Sequence, residues 1–317
     1  MSASVAFVFP GQGSQYVGMG RAMADAFPAA RAALAEADEA LGRKLTGLLF
    51  EGPEEELRLT WNTQPAILAV SVACLRVLEQ ETGLRPTAAA GHSLGEYSAL
   101  VAAGALAYPD ALRVVEQRGR FMQEAVPVGT GAMAAVLGLE TEQVRSLCAG
   151  LSRPGAVVEL ANDNSPGQAV ISGHAAAVEE ASRRAKEAGA KRAVPLPVSA
   201  PFHCSLMVPA GERLAAVLEA VPLAAPRYPV VANVDALPHG GPAQVRDRLV
   251  RQVSQPVRWQ DCVRALGERG VTAFVEVGPK NVLAGLIRRI LPEAAVANVE
   301  DPKGLEAARA AIEGGSP

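Results

Sequence analysis

Short apolar runs alternating with longer helical stretches predict an α/β protein with a mostly parallel sheet covered on both faces. A second pattern, β-α-β-β-α-β between about residues 128 and 198, predicts a small domain inserted into the first. Glycine-rich turns at the ends of the apolar runs suit a site carried on loops that follow strands.

The first run, Val5 to Phe9, reads as a short buried strand leading into Pro10-Gly11. Ala22 to Leu41 is helical by propensity, and Gln64 to Glu79 is a strongly apolar helix with Pro65 in its first turn. Glu51 to Glu56 reads as an acidic solvated turn. Pro86 to Ala90 is a weak strand, since alanine is poor evidence for one. Helices are expected from Ser93 to Ala103 and from Pro109 to Ala125.

The inserted pattern follows. Ala132 to Leu137 is a strand, and Glu142 to Leu151 a helix with Thr141 as a candidate N-cap. Val157 to Ala161 and Ala169 to Ser172 are strands, separated by the turn-rich run Asn162 to Gly167. Ala175 to Ala188 is a helix and Lys191 to Val198 a strand. The first pattern then resumes with helices at Leu206 to Ala220, Val245 to Val253, Asp261 to Arg269 and Val282 to Leu291. Its strands are Val230 to Val234, Thr272 to Val277 and Ala295 to Val299. The expected large domain is therefore 1–127 with 199–317, and the small one 128–198.

Composition narrows the function. With 317 residues, 49% hydrophobic and 20% charged, the chain can bury a substantial core. A formal net charge of -3 argues against a general nucleic-acid binder, which would carry a continuous positive footprint. Cys74, Cys148, Cys204 and Cys262 are widely spaced, without metal-ligand or redox-motif spacing, so no metal is expected and the thiols are expected to be reduced. No secretory signal is evident at the N-terminus. The longest comparable apolar run, Ala66 to Leu75, is far short of the roughly 20 residues of a membrane span. A soluble, cytoplasmic protein is expected.

Gly91-His92-Ser93-Leu94-Gly95-Glu96 carries the chemistry. Gly91, Ser93 and Gly95 match the G-x-S-x-G nucleophile elbow. A serine on so tight a strand-to-helix turn has strained dihedrals, and side chains two residues before and after would collide. The following helix points free N–H groups at the reaction centre, so the N–H of Leu94 can help hold an oxyanion. A neutral serine needs a base, and only four histidines exist. His92 adjoins the serine and should diverge from it. His174 sits at a helix start, where capping or solvent exposure is expected, and His239 in a Pro-His-Gly-Gly turn. His203, in Pro201-Phe202-His203, follows a strand and precedes a helix, and is the candidate base. Asp110 and Asp163 precede it but neither is well placed to orient it. A backbone carbonyl could do so instead.

These segments, with others in order along the chain, resemble the malonyl-CoA:acyl carrier protein transacylase family of type II fatty acid synthesis. The same fold family includes the acyltransferase domains of polyketide synthases. The resemblance rests on Phe9-Pro10-Gly11-Gln12-Gly13-Ser14-Gln15, Thr63-Gln64-Pro65-Ala66, the elbow, Gln117-Arg118-Gly119-Arg120, Asn162 to Gln168, Pro201-Phe202-His203, Pro256-Val257-Arg258-Trp259 and Glu276-Val277-Gly278-Pro279. It implies an α/β-hydrolase-like large domain with a ferredoxin-like insert. It implies that Ser93 is acylated, that His203 is its base and that Arg118 binds the free carboxylate of the substrate. It places Gln12 beside Leu94 in the oxyanion hole, Gln252 where a backbone group orients the histidine, and His92 and Asn162 in the pocket. The implied activity is ping-pong malonyl transfer to a carrier-protein phosphopantetheine thiol, in a monomer, without metal or organic cofactor.

Physical chemistry agrees with the roles. An arginine fork binds a carboxylate through two parallel hydrogen bonds, and an acetyl group would leave that buried charge unpaired. Phe202 is expected to crowd an α-methyl group, disfavouring methylmalonyl-CoA. Cys204 stands where serine is frequent in the family, and a thiol beside the base could be sensitive to alkylation. Lys191, Arg192, Lys280, Arg288 and Arg289 are candidates for a positive rim that meets an acidic carrier. Two other functions fit parts of the sequence: a serine esterase or thioesterase, which has no need of Arg118, and a non-catalytic scaffold, which forms no acyl-enzyme. Whether the carrier belongs to fatty acid or polyketide synthesis is open in the sequence.

Overall fold

The computed structural model describes residues 4–198 and 200–313. Ser199, at the expected junction of the two domains, lies outside the described residues. Five strands form a parallel sheet: β1 (Val5–Phe9), β2 (Ala88–Gly91), β7 (Val230–Val231), β8 (Ala273–Val277) and β9 (Ala295–Val299), in the order β7-β2-β1-β8-β9. Four more form an antiparallel sheet: β3 (Gly131–Leu137), β4 (Val158–Ser165), β5 (Gln168–His174) and β6 (Arg192–Pro195), in the order β4-β5-β3-β6. With helices α8 (Thr141–Leu151) and α9 (Ala175–Glu187) this is the expected β-α-β-β-α-β unit.

Helices cover the parallel sheet on both faces. Between β1 and β2 run α1 (Arg21–Ala26), α2 (Pro28–Leu41), α3 (Leu45–Glu51), α4 (Glu54–Arg58) and α5 (Thr60–Thr82). After β2 come α6 (Gly95–Ala102) and α7 (Tyr108–Glu124). The return from the second sheet contains a 3₁₀ turn (Ser205–Met207) and α10 (Val208–Glu219), then α11 (Pro242–Ser254) and α12 (Trp259–Glu268) after β7. Helix α13 (Val282–Ile290) joins β8 to β9, and α14 (Pro302–Glu313) follows.

Strand β1 shows why a five-residue apolar run is needed. Val5, Phe7 and Phe9 point into the core on one face, and Ala6 and Val8 into the core on the other. Strand β2 is almost all alanine, yet each residue is buried between those layers. Its strand state comes from parallel pairing to β1 and β7, not from propensity. A third apolar cluster fills the second sheet and its two helices.

Several expectations shift. The helix expected over Ala22 to Leu41 breaks at Phe27, whose extended backbone precedes Pro28. Helix α5 begins a turn earlier than expected, so Pro65 lies inside it. The side chains of Asn62 and Thr63 anchor that added turn on the carbonyls of Glu56 and Leu57. The acidic turn contains part of α3 and α4, and α14 was not expected from the sequence. Strand β7 stops at Val231, where Val230 to Val234 was expected, because the N–H of Asn233 turns to the Glu96 carboxylate.

The largest shift is at Asn162 to Gly167. Composition suggests a turn, but β4 continues through Ser165. The N–H of Asp163 donates to the Val257 carbonyl, and the N–H of Val257 to the Ala161 carbonyl, so a second neighbour grips this strand. Register shifts between Leu160 and Asn162, and between Asp163 and Ser165, interrupt its pairing with β5. Among the described residues, no helix is long and apolar enough to cross a membrane.

Candidate active site

The elbow closes where β2 meets α6. Ser93 has φ 51°, a left-handed conformation held by its surroundings. A Cβ on Gly91 would lie 1.9 Å from the carbonyl carbon of Gly95, and one on Gly95 would lie 2.0 Å from the Phe9 carbonyl oxygen. Both glycines are therefore steric requirements of the turn. Gly11 brings the loop after β1 against the same turn: its Cβ would lie 2.4 Å from the His92 carbonyl oxygen. The loops carrying Gln12 and Ser93 thus meet at the carboxyl ends of adjacent parallel strands.

His203, also at positive φ, projects Nε2 to 2.8 Å from Ser93 Oγ. Its Nδ1 lies 2.8 Å from the carbonyl oxygen of Gln252. A carbonyl only accepts, so Nδ1 carries the proton and Nε2 is free to accept from the serine hydroxyl. The orienting group is a backbone carbonyl, and neither aspartate takes part. Asp163 accepts from Thr141 and Asp110 pairs with Arg113. Burial, and then the nearby charge of Arg118, push the His203 ring down to about 3.

Arg118, on α7, is 1% exposed. Its guanidinium donates to Gln64 Oε1 at 2.8 Å, Gln252 Oε1 at 2.9 Å and Ser93 Oγ at 3.1 Å. All three acceptors are neutral oxygens. The carbon at the centre of the guanidinium lies 5.5 Å from the Tyr97 ring centroid. Gly119 permits this reach, because a Cβ there would lie 2.6 Å from the Thr60 carbonyl oxygen and hold α7 away from α5. Burial lowers the arginine's pKa.

These groups share a cavity of about 170 Å³ with Gln12, His92, Leu94, Asn162 and Phe202, and Met122, Met133 and Val170 add apolar walls. The imidazole of His92 diverges from Ser93, as expected, and bonds Asn164 Oδ1 at 2.8 Å beside Trp259. Burial lowers its pKa. Cys204 is fully buried, donates to the Pro201 carbonyl, and burial pushes its thiol up to about 11. That corrects the expected sensitivity to alkylation: the thiol is neither exposed nor ionised near neutral pH.

The basic candidates separate. Lys280 Nζ donates to the Gly13 carbonyl and Arg289 to Gln168 Oε1. Gly13 and Gln168 line a second recess, which adjoins the first through Gln12, His92 and Asn164. Lys191 packs on Gly138, whose N–H donates to the Gly167 carbonyl, at the same end of the second sheet. Arg192 pairs with Leu137 on edge strand β6. Arg288 instead bonds the Val296 carbonyl on β9.

Sequence reasoning assigned no role to Gln64, Glu96, Asn164 and Asn233. Gln64, Glu96 and Asn164 lie inside quoted motifs, and that placement was the available signal. Asn233 was hidden inside an expected strand. His239 is buried and bonds Glu96, whereas His174 caps no helix with its side chain and accepts from the Val157 N–H.

An acyl transferase domain model matches residues 6–305. The chain is 49% identical over 306 residues to a malonyl CoA-acyl carrier protein transacylase of Bacillus subtilis, covering 96% of each. It superposes with a TM-score of 0.96 on the malonyl CoA-acyl carrier protein transacylase of Coxiella burnetii, at 44% identity and 98% coverage of both. A malonyl-transacylase solved in complex with a type II PKS acyl-carrier protein matches at TM-score 0.94 and 48% identity, covering 98% of this chain and 100% of that one. Relationship over nearly the full length accompanies a serine, a histidine and a buried arginine within hydrogen-bond reach, and the chain belongs to the acyl transferase family, among its malonyl CoA-acyl carrier protein transacylases.

Proposed function

We propose that this protein moves a malonyl group from malonyl-CoA to the phosphopantetheine thiol of an acyl carrier protein, through a malonyl ester on Ser93. The observation that carries the reading is a buried guanidinium bonded to the oxygen of the nucleophile itself. A simple hydrolase has no use for a cation there. A malonyl thioester does, because its free carboxylate lies one methylene from the reacting carbonyl.

His203 Nε2 takes the proton as Ser93 Oγ attacks the thioester carbonyl. The backbone N–H groups of Gln12 and Leu94 receive the oxyanion, helped by the N-terminus of α6. The protonated His203 donates to the departing sulfur, and coenzyme A leaves. Arg118 holds the malonyl carboxylate and Gln64 and Gln252 hold Arg118. The carrier thiol then attacks the ester, giving its proton to His203, and Ser93 recovers its own. With Ser93 9% and His203 4% exposed, water has little access to the ester.

Residues 128–198 are proposed as a domain inserted between 1–127 and 199–317, with His92, Asn162 and Phe202 lining the cleft between them. The cytoplasm is the proposed compartment. Intact-protein mass after brief mixing with malonyl-CoA tests the reading. A malonyl adduct is expected that disappears in Ser93→Ala and passes to phosphopantetheinylated carrier. An adduct that decays to free malonate while the carrier stays unloaded would establish a hydrolase instead.

A further inference from the structure

Beneath the elbow lies a buried polar cluster for which the reaction steps give no role. The Glu96 side chain is fully buried. Its Oε2 accepts from the Asn233 N–H at 2.9 Å and from Gln252 Nε2 at 2.8 Å. Its Oε1 lies 2.8 Å from His239 Nε2. A carboxylate so buried must be matched by donors or by a cation. On the other side of Gln252, Arg118 is equally buried, and among the described residues its hydrogen bonds reach only neutral oxygens.

The Gln252 amide joins the two. Its oxygen faces Arg118, and its nitrogen faces Glu96 and the Ser93 carbonyl at 2.9 Å. Three acceptors on the nitrogen side, with Asn233 Oδ1 at 3.3 Å as the third, fix the amide's orientation. A flipped amide would set N–H groups against a guanidinium that has only donors. The amide dipole therefore runs from acid to arginine.

We infer that Glu96 is a positioning residue that supplies the counter-charge of Arg118 at one remove, through the Gln252 amide, so that the oxygens touching the guanidinium stay neutral and no acid competes with the substrate's carboxylate for it. An acid in direct contact would occupy the fork and compete with malonyl. With no acid nearby, the buried cation would stand unmatched in the empty enzyme and grip the malonyl carboxylate more tightly. The inference rests on the reading that Arg118 binds that carboxylate.

Glu96→Gln is the direct test. It keeps the shape, and its amide oxygen can still accept from Asn233 and Gln252. Its NH₂ can donate to His239 Nε2 if that ring moves its proton to Nδ1. What changes is the charge. Ser93 loading is measured with malonyl-CoA and acetyl-CoA, together with competition by free malonate. In Glu96→Gln, malonate is expected to compete more strongly and the malonyl-to-acetyl loading ratio to rise, each by about five-fold, the size expected when one of two charges several ångströms apart in a partly polar interior is removed. An unchanged ratio and unchanged malonate competition would overturn the inference.

If Glu96→Gln does not fold, Gln252→Met cuts the relay while keeping the backbone carbonyl that holds His203. Disconnected from the acid, Arg118 should again grip malonyl more tightly, so the ratio should rise here too, and an unchanged or lower ratio overturns the inference equally. Arg118→Ala separates the two layers. A ratio indifferent to Arg118→Ala defeats the carboxylate reading itself. Collapse of the ratio in Arg118→Ala with indifference in Glu96→Gln defeats only the role of Glu96.

Discussion

His203 works as a base because its surroundings keep it neutral. Burial comes first, the Arg118 charge second, and together they hold the ring at about 3. The acid limb of kcat/KM for malonyl-CoA should therefore lie well below the ordinary histidine value of about 6.5. A limb near that value would contradict the burial argument. In Arg118→Ala, followed by acetyl-CoA loading, the limb should move upward as one cause is removed. Stability carries the same sign. Below about pH 6.5 the unfolded chain binds a proton that folded His203 refuses, so stability is full above that pH and declines as pH falls toward about 3. Melts across that range should show the decline, and it should be shallower in His203→Asn.

The nucleophile's position belongs to the strand-turn-helix element. Gly95→Ala forces a methyl to 2.0 Å from the Phe9 carbonyl, so β1 and the elbow must part. Overpacking against backbone should cost on the order of 3 kcal/mol and abolish loading of Ser93. Urea midpoints and adduct mass check both. Helix α13 depends on another contact. Glu276, fully buried at the end of β8, accepts the N–H groups of Leu283 and Ala284 through both carboxyl oxygens. Burial pushes its pKa up to about 7. Glu276→Ala leaves those two donors without their partner and should cost about 1–3 kcal/mol, with amide-exchange protection lost first in α13. Uniform loss of protection would mean that Glu276 serves the core at large.

At the scale of the molecule, the cleft is set by ties between the two sheets' surroundings. Val257 bonds β4, and the Glu159 carboxylate receives the N–H and hydroxyl of Ser205, just beyond the base. The adjoining recess is bordered by Lys280 and Arg289, with Lys191 at the same end of the second sheet. The resemblance implies an acidic carrier, which this proposed rim would steer. Lys280→Glu combined with Arg289→Glu should slow transfer to the carrier by up to about ten-fold at low salt and flatten its salt dependence. Loading from malonyl-CoA should fall less. Equal loss in both half-reactions would place these residues in the coenzyme A site instead.

Ser93 and His203 were legible as candidates because local rules constrain them, whereas Arg118 stood out only through the family resemblance, since its local sequence reads as a solvent-facing helix residue. Two glycines are sterically obligatory around Ser93, and four histidines leave few choices of base. The β-α-β-β-α-β order was legible too, since alternation and turn residues act over short distances. Long-range contacts settled the rest. Ser93 and His203 are 110 residues apart, and Arg118 and Gln252 are 134. Asn162 to Ser165 became strand, and β7 ended early at Val231, through acceptors and donors on distant segments rather than through their own propensities. Glu96 has no local reason to be buried.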